Sequence, residues 1–333
     1  MSINTSIIVC CYNSAARIEK TLNHLLAQEN IDYLQCEIIV VDNNSTDNTR
    51  ELSATILKNA KCVWQIATEK KQGLTAAREA GIAAAKGQLI LFCDDDNILA
   101  PDYVARVVKL FEGDPSLGAV GGCGQGVPVN GELPYWFTQY ARSFACYVER
   151  PARGYVDALF GAGLALRCKA LAQLQAAGFE SMLEDRKGSE LSSGGDTELC
   201  LCLRILGWRV LLDPALRFQH MIPSGRLTTQ YLMRLADGFG RSEPIIFIYK
   251  RYLETGGGKY LKGMVWLWAI RTLLAVIIKK MMQLCVKSLG HSYNYTVVRA
   301  RWQYLTGMDC PLQLKLTLRQ CRRLAQFNYP SKA

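Results

Sequence analysis

The chain has 333 residues, half of them hydrophobic and a fifth charged. That composition excludes a disordered protein and leaves room for one large core or two modest ones. The net charge of +10 is uneven: from Lys250 onward 15 basic residues accompany two acidic ones, Glu254 and Asp309, for +13, while the 24 basic and 27 acidic residues before it give −3. Thirteen cysteines are an odd number and none forms a Cys-x-x-Cys pair, so a reduced, cytosolic chain without a zinc site is expected. Met1 to Cys11 lacks the basic, apolar and small-residue regions of a signal peptide, and none is expected.

Thr5 to Cys11 reads as an apolar strand turned by Tyr12-Asn13-Ser14, with Ser14 as N-cap of a helix carrying Ile18, Leu22, Leu25 and Leu26. Cys36 to Val41 is a second strand ending in Asp42 and the polar cluster Asn43 to Asn48, followed by a helix from Thr49 to about Lys58. Cys62 to Ala67 is a third strand, and Leu74 to Lys86 an alanine-rich helix closed by Gly87. The fourth strand, Gln88 to Cys93, runs into Asp94-Asp95-Asp96-Asn97. Alternating strands and helices predict an α/β fold, a mainly parallel sheet flanked by helices.

Ligands of such sheets sit beyond the carboxyl ends of the strands, where Tyr12, Asn13, Asp42 and Asp94 to Asp96 all fall. Three adjacent carboxylates repel one another unless a cation sits among them. Oxygen ligands favour Mg²⁺ or Mn²⁺. The competing reading of the triplet is a solvated acidic turn that caps the next helix.

Further along, Pro101 to Glu112 reads as a helix, Ala119 to Gly122 as a short strand, and Trp136 to Tyr147 as an aromatic helix. Phe160-Gly161-Ala162-Gly163 offers either close backbone approach to a ligand or a tight turn. Gly188 to Gly195 is a polar loop leading into Asp196-Thr197-Glu198-Leu199 and a helix stopped by Gly207; Arg209 to Leu212 and Leu216 to His220 read as two short strands.

Residues 7–13, 37–47, 73–78, 92–97 and 195–199, in that order, resemble the family 2 glycosyltransferases, inverting enzymes of the glycosyltransferase A (nucleotide-diphospho-sugar transferase) fold. The resemblance spans about the first 225 residues, which predicts a catalytic domain over 1–225 and a basic, helical C-terminal extension over 226–333. It implies that Tyr12 and Asp42 hold the nucleotide base and that Arg78 helps place the donor. Asp94 and Asp96 would contact ribose and a divalent metal. Asn13 and Asp95 stand at the same edge as further donor-binding candidates, Asp95 being the carboxylate expected to tolerate change. Asp196 resembles the catalytic base, although Gly195 stands where the family often has Glu. His220 is a candidate metal ligand or diphosphate contact, with a structural role as the alternative, and Arg226 a candidate diphosphate contact. These residues imply a nucleotide-sugar donor, a UDP-sugar favoured, and a glycan or lipid-linked acceptor.

Polymerising relatives carry Gln-x-x-Arg-Trp after the base. Here Arg301-Trp302 follows Val298, far from Asp196, which predicts addition of a single sugar. A sugar-phosphate nucleotidyltransferase would need a Gly-x-Gly-x-Arg loop after the first strand, where Cys10-Cys11-Tyr12-Asn13 stands instead; a non-catalytic nucleotide-sugar-binding scaffold is the third reading. In the basic tail, residues 263–278 are apolar but for Arg271 and Thr272, too short and too charged to span a bilayer. With Trp266 and Trp268 they predict a helix lying on an anionic membrane surface at the cytoplasmic face, or else a helix packed on the core. No nucleic-acid-binding motif is visible.

Overall fold

A computed structural model of the chain describes residues 3–183, 191, 193–257, 261–285, 288–307 and 310–327. The chain divides into two compact units, Met1–Ala172 with Trp208–Ser224, and Gln173–Gly207 with Gly225–Ala333. The stretch Gln173–Gly207, which the sequence groups with the catalytic domain, belongs to the second unit. Part of the predicted polar loop, residues 188–190 and 192, lies outside the described residues.

The first unit opens as β1 (Thr5–Cys11), α1 (Ile18–Leu26), β2 (Cys36–Asp42), α2 (Thr49–Leu57), β3 (Val63–Thr68), α3 (Leu74–Ala84) and β4 (Leu89–Phe92). It continues with β5 (Asn97–Leu99), α4 (Tyr103–Gly113), β6 (Leu117–Pro128), α5 (Phe137–Tyr140), β7 (Gly154–Tyr155), β8 (Ala165–Arg167), the start of α6 (Cys168–Ala176), and β9 (Arg209–Ile222). Strand order is β3-β2-β1-β4-β8-β6-β9-β5, with β7 paired to β9. The long ladders, β1 with β2 and β4, β2 with β3, and β6 with β9, are parallel. The short strand β8 runs antiparallel between β4 and β6, and β5 and β7 pair antiparallel with β9, so the sheet is mixed.

Both faces of the parallel half are covered, as the alternation of a strand demands. Ile7, Val9 and Cys11 of β1, with Ile38 and Val40 of β2, share a buried cluster with Ile18, Leu22 and Leu25 of α1 and with Val104 and Val107 of α4. The opposite parity meets α3: a Cβ at Gly81 would lie 2.4 Å from Ile8 Cγ2 and 3.2 Å from Val41 Cγ2. Glycine there lets helix and sheet approach closely. Among the described residues the cysteines are thiols, with Cys11, Cys36, Cys62 and Cys93 buried as small apolar groups.

Local differences from the sequence reading have local causes. The two short strands predicted at 209–220 are one strand, β9, interrupted by a bulge. Gly121 pairs with Leu212 and Cys123 with Arg217, so Gly122 faces the four-residue excursion Asp213–Leu216. Trp136 to Tyr147 holds only the short α5 and a 3₁₀ turn, Ala141–Phe144, ended by Ala145 in the left-handed region (φ 55°). Gly163 takes φ +69°, and its carbonyl accepts from the Tyr103 hydroxyl at 2.7 Å; a Cβ there would lie 2.4 Å from that hydroxyl oxygen. That packing against Tyr103, a tight turn, accounts for Gly163 without a ligand.

The second unit holds α7 (Gly195–Ile205), α8 (Thr229–Thr255), α9 (Leu261–Cys285), α10 (Leu289–Thr306) and α11 (Cys310–Gln326). The Thr228 hydroxyl caps α8 by accepting from the Tyr231 N–H at 3.2 Å. Gly240 lets α8 and α10 touch, since a Cβ there would stand 2.3 Å from the Val297 carbonyl oxygen. Phe247 of α8 stacks on Trp268 of α9 at 4.4 Å, and Arg301 of α10 lies 4.8 Å above the same indole while its Nε donates to Glu243 at 2.7 Å. Arg301 of the Arg301-Trp302 pair singled out in sequence is therefore part of a helix-packing column. No described helix is long and apolar enough to cross a membrane.

The bulge supplies a test. A Cβ at Gly122 would fall 1.9 Å from the Leu216 carbonyl oxygen, so Gly122→Ala should lower the urea midpoint at unchanged slope, by about 3 kcal/mol or more because backbone must move. Gly113→Ala, where a Cβ meets nothing within 4 Å, should be neutral or slightly stabilising.

Candidate active site

Strands β1 and β2 end together at one edge, Cys11 paired with Asp42, and β4 leaves the sheet at the same end, beside Ile8. Each strand then hands over to a polar turn. Asn13 and Asn44 turn the chain in the left-handed region (φ 49° and 61°), which asparagine tolerates better than most residues. The two turns are laced together. The Asn13 N–H donates to Ser45 Oγ at 3.0 Å, the Thr46 N–H donates to Asn13 Oδ1 at 2.8 Å, and the Ser14 N–H donates to Thr49 Oγ1 at 2.7 Å. The Asn13 carbonylamide oxygen, a donor-binding candidate by sequence, is thus spent on holding the edge.

Asp42 is buried, and its Oδ1 accepts from the Ser45 N–H at 3.2 Å. Next to it, Asn43 latches α3 to the edge. Its Nδ2 donates to the carbonyls of Glu69 (3.0 Å) and Lys71 (2.8 Å), and its Oδ1 accepts from the Gly73 N–H at 2.8 Å. That latch fixes the start of the helix that bears Arg78. The Arg78 guanidinium lies over the Phe92 ring at 5.1 Å and its Nη2 is 4.0 Å from Asp94 Oδ1. Tyr12, 44% exposed, presents its ring at the same edge.

The three carboxylates of the triplet part company. Asp95 turns inward and is buried: its Oδ2 accepts from the Ser14 hydroxyl and pairs with Arg17 Nη2 at 2.7 Å, while its carbonyl accepts from the Thr21 hydroxyl at 2.9 Å. Arg17 also donates to the carbonyls of Asn13 (3.0 Å) and Tyr12 (3.1 Å). Burial, with the neighbouring Asp96 charge, raises the Asp95 pKa, and Arg17 and Ser14 oppose the rise. The expectation that Asp95 tolerates change fails on this geometry, because the side chain ties the metal-side loop to the start of α1. The same contacts correct Ser14: its hydroxyl serves Asp95 and accepts from the Tyr12 N–H at 3.1 Å instead of capping the helix. Its carbonyl accepts from the N–H groups of Arg17 and Ile18, both at 2.9 Å.

Asp96 is buried and meets His220, whose Nε2 is 3.5 Å from Asp96 Oδ2. Strand register makes this pair: β5 follows the triplet at once and aligns Asn97 with His220, while β6 aligns Gly126 with it from the other side. The Asp96 carbonyl accepts from the Met221 N–H at 2.8 Å, and Asn97 Nδ2 donates to Asp96 Oδ1 at 3.0 Å. His220 Nδ1 lies 2.8 Å from the Phe144 carbonyl. A carbonyl only accepts, so Nδ1 carries the proton and Nε2 is the atom aimed at Asp96. Burial alone would lower the imidazole pKa, but the Asp96 carboxylate outweighs it and pushes the value up to about 10.

These two donors fit a divalent cation. An octahedral ion with bonds of about 2.1 Å places adjacent ligands about 3 Å apart, near the observed spacing. The Phe144 carbonyl, by accepting from Nδ1, fixes the ring so that Nε2 can act as ligand. Among the described residues no three His, Cys, Asp or Glu side chains cluster for a metal. Asp94 is not brought to the Asp96–His220 pair; it faces Arg78. Cations held by one or two carboxylates complete their shell with water and substrate phosphates, so two protein ligands suffice.

Residues 6–157 match the model of Glycosyl transferase family 2. They form a family 2 glycosyltransferase domain. An uncharacterised glycosyltransferase of Nostoc sp. is 32% identical over 34% of this chain and 35% of its own length. A poly-beta-1,6-N-acetyl-D-glucosamine synthase of Staphylococcus aureus is 33% identical over 34% of this chain and 27% of its own. The chain thus matches about a third or less of these curated relatives. The fold extends further. A mannosyltransferase of Pyrobaculum calidifontis, solved with GDP-Man and Mn²⁺, superposes with TM-score 0.57 at 18% identity over 92% of this chain and 88% of its own. S. aureus TarS 1–349 gives TM-score 0.50 at 16% identity over 92% of each chain. The glycosyltransferase A fold is therefore common to them and this chain.

In this family 2 domain the residues missed by sequence reading are Ser14, Arg17, Thr21 and Asn43. Asn43 follows the end of β2 directly, Ser14 and Arg17 lie in the turn after β1, and Thr21 sits within α1, positions at which a polar side chain is indistinguishable in sequence from ordinary loop or helix-surface chemistry. Asp196 lies in the second unit, in the first turn of α7 and partly exposed. Its neighbour Glu198 is buried and accepts from the N–H groups of Met182 and Leu183 (both 3.0 Å) and from the hydroxyls of Ser181 (2.9 Å) and Tyr249 (2.7 Å). Of the two acids on this turn, Glu198 is structural and Asp196 is the one that meets solvent.

Two outcomes follow. Asp95→Ala should cost about 1–3 kcal/mol in urea unfolding because the buried Ser14 hydroxyl and the half-buried Arg17 lose their shared acceptor, and Asp94→Ala, which removes a looser 4.0 Å ion pair with Arg78, should cost less. The raised His220 pKa stabilises the metal-free fold most below pH 6.5, and that contribution is lost as pH rises through about 10. A cation must displace the same proton, so calorimetric Mn²⁺ affinity should rise about tenfold per pH unit over pH 6–9 and lose that slope in His220→Gln.

Proposed function

We propose that the chain transfers a single sugar, with inversion, from a nucleoside-diphosphate sugar to a glycan or lipid-linked acceptor at the cytoplasmic face of a membrane. The observation that carries this reading is the Asp96–His220 pair at the strand edge it shares with Asp42, Tyr12 and Arg78. Asp42 accepts from N–H groups and suits a base with a ring N–H; Tyr12 offers a stacking face. A UDP-sugar is favoured, in keeping with the UDP-GlcNAc complex of TarS, while the GDP-Man complex of the Pyrobaculum enzyme keeps guanosine in view.

Mg²⁺ or Mn²⁺ held by Asp96 and His220 would supply Lewis-acid neutralisation of the leaving diphosphate. Arg78 adds a fixed positive charge beside Asp94, which positions the donor and leaves Asp94 for its ribose. Asp196 takes the proton from the acceptor hydroxyl as general base, and inversion follows from one displacement without a covalent intermediate. The domain boundaries proposed are a catalytic part over 1–225 and a basic extension over 226–333.

Addition of one sugar competes with polymerisation, which the name of the S. aureus synthase relative favours. Single addition rests on the absence of a Gln-x-x-Arg-Trp motif and on Arg301 being engaged by Glu243 and Trp268. A non-catalytic scaffold would keep the donor edge without needing Asp196. Nucleotide release from a panel of sugar nucleotides with Mn²⁺ separates an enzyme from a scaffold, and the size of the glycosylated product separates one addition from many. Asp196→Asn should lower turnover by about 10²-fold or more at nearly unchanged donor affinity, and turnover indifferent to that change would remove Asp196 from the base role. Asp96→Asn should weaken Mn²⁺-dependent donor binding instead.

A further inference from the structure

Helix α9 carries a feature that donor chemistry does not use. Trp266, Leu267, Ile270, Leu274, Ile277 and Met281 recur at three- and four-residue steps, and all are exposed, Trp266 at 71% and Met281 at 63%. They form one stripe about 22 Å long at 1.5 Å per residue. The other side of the helix is occupied. Trp268 stacks on Phe247, Thr272 is buried with its hydroxyl donating to the Trp268 carbonyl at 2.8 Å, and Arg301 lies over the Trp268 ring. The outward stripe is thus a large apolar surface on a helix already seated by its opposite face, the kind of patch that marks an interaction site.

Two cations border the stripe. At 3.6 residues per turn, Arg271 and Lys280 project roughly 90° to either side of the line through Ile270, Ile277 and Met281. Both are exposed, and Lys280 Nζ sits 5.1 Å from the Tyr295 ring centroid, which steadies it at the rim. An apolar strip with cations along both margins matches a bilayer interface, apolar groups entering the acyl boundary and cations meeting anionic headgroups. Net charge selects lipid over a second copy of this chain: the segment from Lys250 carries +13, which repels its own kind and is drawn to an anionic leaflet. Arg271 in mid-run, and the lack of a described helix long and apolar enough to cross a membrane, fit a helix lying on the surface.

We infer that the Trp266–Met281 stripe of α9, bordered by Arg271 and Lys280, is the surface by which this protein docks on anionic membranes. It deepens the membrane-face acceptor reading and rests on it only for its use; donor turnover in solution does not depend on it. The roles of the two tryptophans separate: Trp266 faces outward, and Trp268 is a packing residue, contrary to the expectation that both anchor the helix in lipid.

The test is sedimentation of the full chain with vesicles of neutral phosphatidylcholine alone or with about a third phosphatidylglycerol. The expected result is pelleting with the anionic vesicles, loss of most of it at 0.5 M salt, and at least a tenfold drop for Leu274→Glu with Ile277→Glu. Because both positions are exposed, the double variant should keep its thermal midpoint and its soluble nucleotide-release rate. Arg271→Glu with Lys280→Glu should weaken binding to anionic vesicles, and Trp266→Phe should remove the vesicle-induced blue shift that Trp268→Phe leaves in place. Equal pelleting of wild type and the Leu274/Ile277 variant, or no pelleting of either, would overturn the proposal. So would light scattering that shows a wild-type dimer which that variant converts to monomer without any change in vesicle binding. A wild-type chain that releases nucleotide but does not pellet with the anionic vesicles would reject the docking surface and leave the catalytic reading standing.

Discussion

The carboxylate of Asp95, buried against Arg17 and Ser14, is the interaction on which the donor edge depends. Three anions in a row at the end of a strand repel one another, and the chain relieves that repulsion by sending each to a different partner. Asp95 goes inward to Arg17, Asp94 outward to Arg78, and Asp96 across the sheet to His220. Because Arg17 also holds the carbonyls of Tyr12 and Asn13, one ion pair sets the relation between the loop after β1 and the loop after β4. Loss of Arg17 would leave the buried Asp95 carboxylate without its cation, while loss of Asp95 would leave a half-buried Arg17 held by the two carbonyls alone.

A second constraint, strand register, delivers His220. Antiparallel β5 is only three residues long, yet it places Asn97 opposite His220 and so seats Asp96 beside the imidazole. The long β6–β9 ladder reaches that register only after a bulge, and Gly122 is the residue that accommodates it. A steric requirement remote from the edge is thereby coupled to the separation of two candidate metal ligands. The Phe144 carbonyl, set by the left-handed Ala145 that ends its turn, fixes which imidazole nitrogen faces the site.

Much of the parallel half was legible in the sequence because its signals are local. β1 spans Thr5–Cys11 as the apolar run predicts, and β2, α2, α3 and β4 fall within two residues of their expected limits. Strand ends with polar residues announced the edge. What could not be read was anything set by pairing between distant segments. The antiparallel β8, the continuity of β9 through its bulge, and the membership of 173–207 in the second unit carry no local mark. The triplet shows the same limit. Its residues are identical in type, and only the burial of Asp95 and the register of β5 divide structural from chemical roles. Glu198 and Asp196 illustrate it again, two acids in one helical turn with opposite environments.

The central claim is that Asp96 and His220 together present the donor diphosphate with a divalent cation. Anomalous diffraction from crystals grown with UDP and Mn²⁺ measures this directly. A manganese peak about 2 Å from both an Asp96 carboxylate oxygen and His220 Nε2, with the diphosphate completing its shell, is the predicted result. Bound UDP with manganese coordinated by Asp94 or Asp95 and His220 left outside the shell would contradict it.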